Sequence, residues 1–384
     1  MEWKEVTLGE VSSKIGDGLH GTPKYDDEGS YYFINGNNLN CGKIIIKDDT
    51  KRVGIDEFVK NQKELNEQTI LVSINGTIGN VAKYNNEPCI LGKSACYINV
   101  IKKVDKEFIY YVLTSANFKR NITNEATGTT IKNVSLKQMR EYKFNIPCNL
   151  EDQRRIASIL SSLDRKIELN NKINADLEEM AQTIFKNWFV DFEPFKDGKF
   201  VNSELGMIPE GWKVGLLGEL CNFKRGKNLL TKNAVDEGVP VVAGGLEPSC
   251  YHNVANTGAP VITVSGSGAN AGFMRMYHVP VWASDCSFID ISCENFYFVY
   301  CFLKVNSKLL KHAQTGAVQP HVKPSDIHDF ELVIPDKESI FEFQEKIKPF
   351  YDRIATIQRE SSHLSLLRDT LLPRLMSGEI EVPE

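Results

Sequence analysis

The sequence has few of the residue patterns that hold metals or disulfide frameworks. It contains nine cysteines, an odd number, and no C-x-x-C pair. A disulfide framework or a zinc ribbon is therefore not expected, and small buried thiols in a reducing compartment fit the pattern better. The seven histidines form no H-x-x-x-H or similar cluster, so no metal site is predicted.

Long apolar stretches are also missing. No run of about 18 apolar residues occurs, so nothing in the sequence is expected to cross a membrane. The start of the chain, Met1 to Lys4, carries no apolar signal region. We therefore predict a cytoplasmic protein.

The usual catalytic motifs are incomplete. Gly92-Lys93-Ser94 ends like a phosphate loop, but Glu87 stands where that loop needs glycine. The glycines between Gly266 and Ala271 resemble a dinucleotide fingerprint, yet the following residues up to Tyr277 read as a strand, which leaves no helix N-terminus for a pyrophosphate. There is no Asn/Asp-Pro-Pro-Tyr motif, no common nuclease pattern and no G-x-S-x-G elbow. We interpret the chain as non-catalytic and expect it to bind no cofactor.

The bulk composition is that of an ordinary folded protein. The chain has 384 residues, 42% of them hydrophobic and 25% charged, which favours two or three domains with ample core. Its net charge is −5. Residues 1–150 hold 20 basic and 18 acidic side chains, and residues 211–335 hold ten of each, so the acidic excess lies in the remaining segments. Basic faces on these two regions are therefore permitted but not demonstrated.

The sequence contains an internal repeat. Trp3-Lys4 with Leu8-Gly9-Glu10 recurs at the same spacing as Trp212-Lys213 with Leu217-Gly218-Glu219. Residues 127–147 match 315–335 without a gap, and Leu71-Val72-Ser73 resembles Thr263-Val264-Ser265. Cys96 is matched with Cys286 on the same pattern. Between these anchors the copies differ, which indicates one scaffold with two sets of loops.

Each copy reads as mixed β structure with some helix. The apolar runs 31–34, 43–46 and 69–72 are bounded by Gly and Asn, which is typical of strands. Lys106 to Phe118 and Glu294 to Lys311 each predict one amphipathic helix.

Two longer helices follow the copies. An apolar stripe at three- and four-residue intervals, which we call a seam, predicts a coiled-coil-like helix in each place. The first seam comprises Ile156, Leu160, Leu163, Ile167, Ile173, Leu177, Met180, Ile184 and Trp188; the second comprises Ile340, Phe343, Ile347, Phe350, Ile354, Ile357 and Leu364. Asn170 and Ser361 are polar seam residues at matching places. We predict that the helices pair antiparallel; packing of each on its own domain is the alternative.

The loops are rich in groups that bind nucleic acid. Polar and cationic side chains beside glycines suit hydrogen bonds to base edges and phosphates, although Asn and Gly also dominate ordinary turns. In the first copy the candidate DNA-binding residues are Lys24, Asn37, Asn38, Ser73, Asn75, Thr77, Thr129 and Lys132. In the second copy they are Lys224, Arg225, Lys227, Ser265, Ser267, Asn270, Gln319 and His321.

Over nearly its whole length the chain resembles the specificity subunits of type I restriction-modification systems. The strongest likeness lies at residues 184–194 and 203–212, and the ending 371–380 and the stretch 20–25 are also similar to that family. The resemblance implies an α+β chain with two target recognition domains, separated by two long antiparallel helices in an internal pseudo-two-fold repeat. It predicts recognition domains at 1–150 and 211–336, a first spacer helix at 151–190, a linker at 191–210, and a second helix with a tail at 337–384.

The resemblance also implies a function. Each recognition domain would read one half of a split double-stranded DNA target, and the helices would set the spacer. The helices would also dock two methyltransferase subunits, which bring S-adenosylmethionine, and restriction subunits that use ATP and Mg²⁺ would join them. Phe185, Phe189, Phe192 and Leu372 are candidate methyltransferase contacts, with local packing as the alternative. A stand-alone enzyme acting on DNA or a nucleotide and a purely structural coiled-coil adaptor remain alternative functions.

Overall fold

The computed structural model describes residues 1–126, 132–314 and 320–382. The chain divides into two compact units. The first unit comprises Met1–Leu169 and Ser361–Glu384, and the second comprises Asn170–Glu360. The division falls inside two 40-residue helices, so each helix contributes one part to each unit.

Short strands precede and surround the helices of the first unit. Its strands are β1 Trp3–Thr7, β2 Ser12–Asp17, β3 Tyr31–Ile34, β4 Leu39–Asn40, β5 Lys43–Ile44, β6 Arg52–Val53, β7 Thr69–Ser73, β8 Val81–Lys83, β9 Cys89–Leu91, β10 Ala95–Val100 and β11 Lys143–Pro147. Its helices are α1 Ile55–Asn61, α2 Lys106–Thr114, α3 Ala116–Glu125, α4 Leu136–Glu141 and the start of α5 Leu150–Phe189.

The second unit repeats much of this order, with an additional hairpin of two strands ahead of the repeat and without a counterpart of α1. Its strands are β12 Phe200–Ser203, β13 Gly206–Pro209, β14 Lys213–Leu216, β15 Lys224–Arg225, β16 Val239–Val242, β17 Cys250–His252, β18 Val261–Ser265, β19 Met274–Tyr277, β20 Trp282–Ala283, β21 Cys286–Asp290 and β22 Glu331–Ile334. Its helices are α6 Phe296–Val305, α7 Ser307–His312, α8 Pro324–His328 and the start of α9 Lys337–Met376.

Both units are built on the same sheets. A four-stranded antiparallel sheet has the order β2-β10-β7-β8 in the first unit and β15-β21-β18-β19 in the second. The inner strands β7 and β18 are buried at every position, which explains why their sequences are nearly continuous apolar runs. A three-stranded sheet with one parallel pair accompanies each, β6-β3-β9 and β17-β16-β20. The predicted α+β fold with an internal repeat is confirmed.

The repeated sequence motif forms the frame of each unit. β1 pairs with β11 and β14 with β22, in the same register. Leu8 and Leu217 are fully buried. The Glu10 carboxylate accepts the Thr7 backbone N–H at 2.6 Å, and Glu219 accepts that of Leu216 at 3.0 Å. The backbone hydrogen bond from Thr7 lowers the pKa of Glu10, so the carboxylate that closes this turn is ionised. The motif therefore recurs because it turns the chain out of the frame strand.

In the first unit, α5 packs against the C-terminal part of α9. Ile156 and Leu160 share a buried core with Leu375. Farther along α5, Asp164 accepts hydrogen bonds from Tyr111 of α2 and from Arg368 of α9, both at 2.7 Å. Burial raises the pKa of Tyr111, so its hydroxyl stays protonated and can donate. Since contacts move toward the N-terminus of α9 as α5 advances, the two helices run antiparallel here.

The second unit joins the same helices by equivalent contacts. Glu178 of α5 accepts hydrogen bonds from Tyr300 of α6 at 3.2 Å and from Tyr351 of α9 at 3.4 Å. Farther along α5, the rings of Phe185 and Phe189 contact Phe343 of α9. This order is again antiparallel, as predicted. In each unit one carboxylate of α5 therefore connects a helix of the recognition domain to α9.

The polar residue Asn170 lies inside the paired helices. It is 1% exposed, and its amide donates to Glu360 of α9 at 3.0 Å. A hydrogen-bonded polar group among apolar ones favours one register, because a shifted helix would bury it unsatisfied. Ser361 is only half-buried.

Three local predictions were wrong. Met180 is 50% exposed, and Ala181 occupies the buried position instead, because a 3.6-residue turn drifts from a strict seven-residue repeat. The predicted helix from Lys106 to Phe118 is two helices, since Ser115 is extended and its hydroxyl caps α3. The predicted helix from Glu294 to Lys311 is likewise divided, into α6 and α7, at Asn306.

No helix among the described residues is long and apolar enough to cross a membrane. This agrees with the absence of long apolar runs in the sequence.

Replacing Phe185 by alanine should lower the free energy of unfolding, so that the protein unfolds at a lower temperature. The ring is 2% exposed and contacts Phe189, Phe298 and Phe343, so its removal should cost about 3–5 kcal/mol. Met180→Ala, at an exposed position of the same helix, should change stability by less than about 0.5 kcal/mol. Equal losses in chemical denaturation of the two variants would contradict the packing described here.

A second prediction concerns two matching glutamines. Gln153 of α5 accepts the Asp105 N–H and donates to the Pro147 carbonyl, both at 2.9 Å, and Gln344 of α9 accepts the Tyr297 N–H at 3.0 Å. Each glutamine thus satisfies a backbone group at the start of α2 or α6. Gln153→Ala and Gln344→Ala should each lose about 1–3 kcal/mol of folding free energy. Thermal unfolding should show these losses, and Gln62→Ala, at an exposed position, should not.

Candidate nucleic-acid interface

An open cleft lies at the end of the four-stranded sheet in the first unit. We call it the first cleft. Its volume is about 510 Å³, and it is lined by Asp17, His20, Ile74, Asn75, Lys93, Asn133, Val134, Ser135 and Leu136. These residues come from the end of β2, the turn after β7, the turn before β10 and the start of α4.

The second unit has a corresponding opening, the second cleft. Its volume is about 420 Å³, and it is lined by Arg225, Gly266, His321, Lys323, Pro324 and Ser325. The contributing segments are the end of β15, the turn after β18 and the start of α8. These are the counterparts of the segments that form the first cleft.

The strand register shows that the two clefts are equivalent. Asp17 pairs with Cys96, which lies one residue after the partner of Ser73 at the end of β7. Arg225 pairs with Ser287, which lies one residue after the partner of Ser265 at the end of β18. The register therefore matches Cys96 with Ser287, so the predicted match of Cys96 with Cys286 is one residue out. The bridges Asn75–Asn133 and Ser267–His321 also correspond.

The chemistry of the two clefts differs. In the second cleft, the Arg225 guanidinium donates to one oxygen of Asp285, and the Ser267 hydroxyl donates to the other. This carboxylate holds the guanidinium at the cleft, and Lys323 adds a further cation. The second cleft therefore suits groups that accept hydrogen bonds or carry negative charge.

The first cleft carries an acid where the second carries the arginine. The Asp17 carboxylate lies 2.6 Å from His20 Nε2. The Asn75 amide donates to the Asn133 side-chain oxygen at 3.3 Å, and Lys93 is exposed at the rim. The asparagine amides here can both donate and accept hydrogen bonds, and the Asp17 carboxylate accepts them. The two clefts can therefore recognise different groups.

The structure brings several predicted DNA-binding residues together at these clefts. Asn75, Arg225 and His321 line them, and Ser267 holds Asp285 beside Arg225. Other predicted residues are exposed but do not line either cleft: Lys24, Asn37, Thr77, Lys132, Lys224 and Lys227. Thr129 and Gln319 lie outside the described residues.

Three candidate residues are buried and support the fold instead. Asn38 is 5% exposed and donates to the Ile45 carbonyl at 3.0 Å. Ser265 is 3% exposed and donates to the Gly244 carbonyl at 3.2 Å, and Ser73 is fully buried. Their prediction as DNA contacts does not fit this placement. Asn38 belongs to a turn, as the alternative interpretation held, whereas Ser73 and Ser265 are the last residues of β7 and β18.

Asn270 has a mainly local role as well. It is half-buried, and its amide donates to the Gly244 carbonyl at 3.4 Å. This bond ties the turn after β18 to the end of β16.

The predicted partner-binding residues are mostly core residues. Phe185 and Phe189 are 2% and 8% exposed and pack against Phe298 and Phe343. Their rings are therefore not available to another subunit, and local packing explains them. Phe192 packs partly buried against the core of the second unit, and Leu372 against that of the first.

Sequence reasoning missed four charged residues of the clefts, namely Asp17, Lys93, Asp285 and Lys323. The two acids differ from the amides, hydroxyls and cations beside glycines that indicate DNA contacts in the sequence. Lys93 was considered only as part of a phosphate loop. The internal repeat carries part of the signal: counted from the two Leu-Gly-Glu motifs, Asp17 falls one residue beyond the place of Arg225, and the strand pairing is needed to match them.

The described residues offer no metal centre. Within 1–126, 132–314 and 320–382, no group of three or more His, Cys, Asp or Glu side chains is placed to hold a metal ion.

Known proteins resemble the chain in sequence and fold. A type I restriction enzyme specificity subunit (MjaIX) from Methanocaldococcus jannaschii is 29% identical over 94% of this chain and 87% of that protein. A putative type I specificity subunit from Mycoplasma genitalium is 26% identical over 92% and 88%. The crystal structure of a type I restriction-modification S subunit from M. genitalium has a TM-score of 0.61 at 21% identity and covers 98% of this chain and 96% of that one.

A family profile gives the assignment. The profile described as "Type I restriction modification DNA specificity domain" matches residues 1–179 and 209–364. These two matches contain the two copies of the repeat and cover most of the chain. The chain therefore belongs to the family of type I restriction-modification DNA specificity domains.

Proposed function

We propose that the protein is the specificity subunit of a type I restriction-modification complex, in which each recognition domain reads one half of a bipartite DNA target. The observation that carries this proposal is the pair of equivalent clefts. They occupy the same register position on the corresponding sheets of the two units, yet their side chains differ in charge and hydrogen bonding. One scaffold that presents two different sets of groups suits a target with two different halves.

The polar character of the loops supports DNA as the ligand. Lys224 and Lys227 are exposed on either side of Arg225, and Lys323 lines the cleft. Exposed lysines contact phosphates and position a protein on the duplex, while side chains in a cleft can reach base edges. Lys24 and Lys132 are the exposed cations predicted to contact phosphate in the first unit.

The long helices support docking of partner subunits. Phe341 is 63% exposed and Leu366 is 67% exposed on α9, and Met180 is 50% exposed on α5. Contiguous exposed apolar patches mark protein interaction sites, and we propose that these side chains contribute to such patches. We propose that two methyltransferase subunits bind here and that restriction subunits join the complex.

The chemistry of the complex then belongs to the partners. In the proposed assembly, adenine-specific methyltransferase subunits bind S-adenosylmethionine, and restriction subunits use ATP and Mg²⁺. This chain would position them on DNA in the cytoplasm without a catalytic step of its own. The incomplete nucleotide-binding motifs are consistent with that division.

The complex should modify one bipartite sequence. When the chain is assembled with its methyltransferase subunits and supplied with S-adenosylmethionine, genome-wide mapping should find methylation at a target of two specified halves around an unspecified spacer. Without the chain, this methylation should be lost.

Other results would favour the alternatives. A continuous, undivided target would contradict two independent recognition domains. Binding of S-adenosylmethionine or ATP by the isolated chain would favour a stand-alone enzyme, and a correctly folded complex without DNA affinity would favour a structural adaptor.

The helices should act as a ruler for the spacer. Seven residues inserted after Asn170, together with seven inserted between Glu360 and Ser361, would lengthen both paired helices by about 10 Å. That length corresponds to about three base pairs at roughly 3.4 Å each. Methylation mapping should show a spacer longer by about three base pairs with both half-sites unchanged.

A matched control places the same seven residues after Asp197, in an exposed turn. The spacer should then stay the same. An unchanged spacer in the doubly lengthened variant, with the complex still active, would refute the ruler.

A further inference from the structure

We infer that one scaffold position, occupied by Asp17 in the first domain and by Arg225 in the second, determines which base is recognised in each half-site. Arg225 reads a guanine, and Asp17 reads a base that donates a hydrogen bond. This inference rests on the proposed function and assigns the reading to one residue in each domain. It concerns recognition of individual bases rather than binding in general.

The first step is the equivalence of the two residues. Each ends the outer strand of its four-stranded sheet, β2 or β15, and lines the cleft beside that strand. Each pairs with the matching residue of the neighbouring strand, Cys96 or Ser287. One scaffold position therefore carries opposite charges in the two domains.

The second step is the support around Arg225. Asp285 accepts from its guanidinium and is itself held by the Ser267 hydroxyl. A guanidinium has five N–H donors, and Asp285 is its ion-pair partner among the described residues. The remaining donors are available to a ligand in the cleft. The side chain of this arginine is 45% exposed, so a ligand can reach it.

The third step is the space that the guanidinium occupies. A side chain on Gly266 would collide with the Arg225 guanidinium, because the nearest atoms to its missing Cβ are the guanidinium nitrogens and carbon. The matching residue of the first unit is Ile74. The backbone N–H of Ile74, like that of Gly266, donates to a carbonyl in the turn before the neighbouring strand of the sheet. Ile74 is 3% exposed and belongs to the buried core of the first unit. The glycine of the second unit therefore leaves room for the guanidinium, whereas the first unit has a larger residue at this place and the much shorter Asp17 in the same cleft.

The hydrogen-bonding edges of the bases match these two side chains. Guanine presents two acceptors, O6 and N7, in the major groove, and arginine binds both with two parallel N–H groups. A carboxylate can only accept, so it matches the amino group of cytosine, with adenine's amino group as the other donor edge. Arg225 therefore selects a base edge that accepts hydrogen bonds, and Asp17 selects one that donates them.

The test compares base preference in the assembled complex. Methylation of a randomised target library should first establish the two half-sites of the unaltered complex. Arg225→Lys should then weaken discrimination at one G·C pair of one half by about 5- to 150-fold. Asp17→Asn should relax one position of the other half, and Gly266→Ala should act in the same half as Arg225→Lys because it displaces the guanidinium.

Two controls separate base reading from other effects. Arg275→Lys alters an arginine of the same unit that pairs with Glu247 and does not line the cleft, so it should change no base preference. Thermal unfolding and assembly with the methyltransferase should be unchanged in all four variants except for a small loss in Gly266→Ala. Arg225→Gln is measured beside Arg225→Lys, because it removes the charge as well as the paired N–H donors, and base preference is compared only among variants that assemble.

The outcomes are distinguishable. If Arg225→Gln, which removes the positive charge, lowers affinity equally for all sequences and reduces the salt dependence, the residue contacts phosphate and the inference is overturned. If Arg225→Lys and Asp17→Asn relaxed base preference in the same half-site, the inference would also be overturned. A bipartite target that neither variant relaxes refutes the inference while leaving the proposed function intact; the absence of any bipartite target in the unaltered complex refutes the proposed function itself.

Discussion

The fold of both units depends on the burial of one face of α5 and α9. These helices are too long to remain single in water with an apolar stripe exposed. In each unit they bury that stripe against each other and against the recognition domain, through Leu160 and Leu375 in one and Phe185 and Phe343 in the other. The carboxylates of Asp164 and Glu178 then add hydrogen bonds from tyrosines of α2 and α6. Burial also raises the pKa of Tyr300, so these phenols remain donors.

The same constraint explains which parts of the repeat are alike. The Trp-Lys and Leu-Gly-Glu residues form the frame strand and its turn, and Gln153 and Gln344 fasten the long helices to the first turns of α2 and α6. Loss of Leu8 or Leu217 would leave a core position empty, and loss of either glutamine would leave a backbone group without its partner. The side chains that line the clefts are not constrained in this way, because they lie at strand ends and in loops. Sequence differences can therefore accumulate at the clefts while the scaffold stays the same.

Much of the scaffold could be predicted from the sequence, and less of the site. Strands such as β3 and β7 and both long helices follow from apolar periodicity, which reports burial directly. The same reasoning placed Met180 in the seam, because a seven-residue repeat does not track a straight helix over many turns. It also missed the break at Ser115, where a side-chain cap competes with helix continuation.

Site residues were harder to predict, because the sequence does not report which polar side chains are exposed. Asn38 and Arg225 are both polar residues near glycine, yet one is buried in a turn and the other lines a cleft. Asp285 is 60 residues from Arg225 along the chain, and strand pairing alone brings them together. The internal repeat compensates in part. Once the register is fixed, comparing one copy with the other shows which positions differ in charge.

The central claim is that each recognition domain reads its own half of the target independently. It can be tested by replacing the segment from β14 to β22 with a copy of the segment from β1 to β11, since both begin and end on matching frame strands. The modified target of the assembled complex would then be mapped by methylation. The account predicts a bipartite target in which both halves carry the bases of the first half-site. A target that keeps the original second half would contradict it.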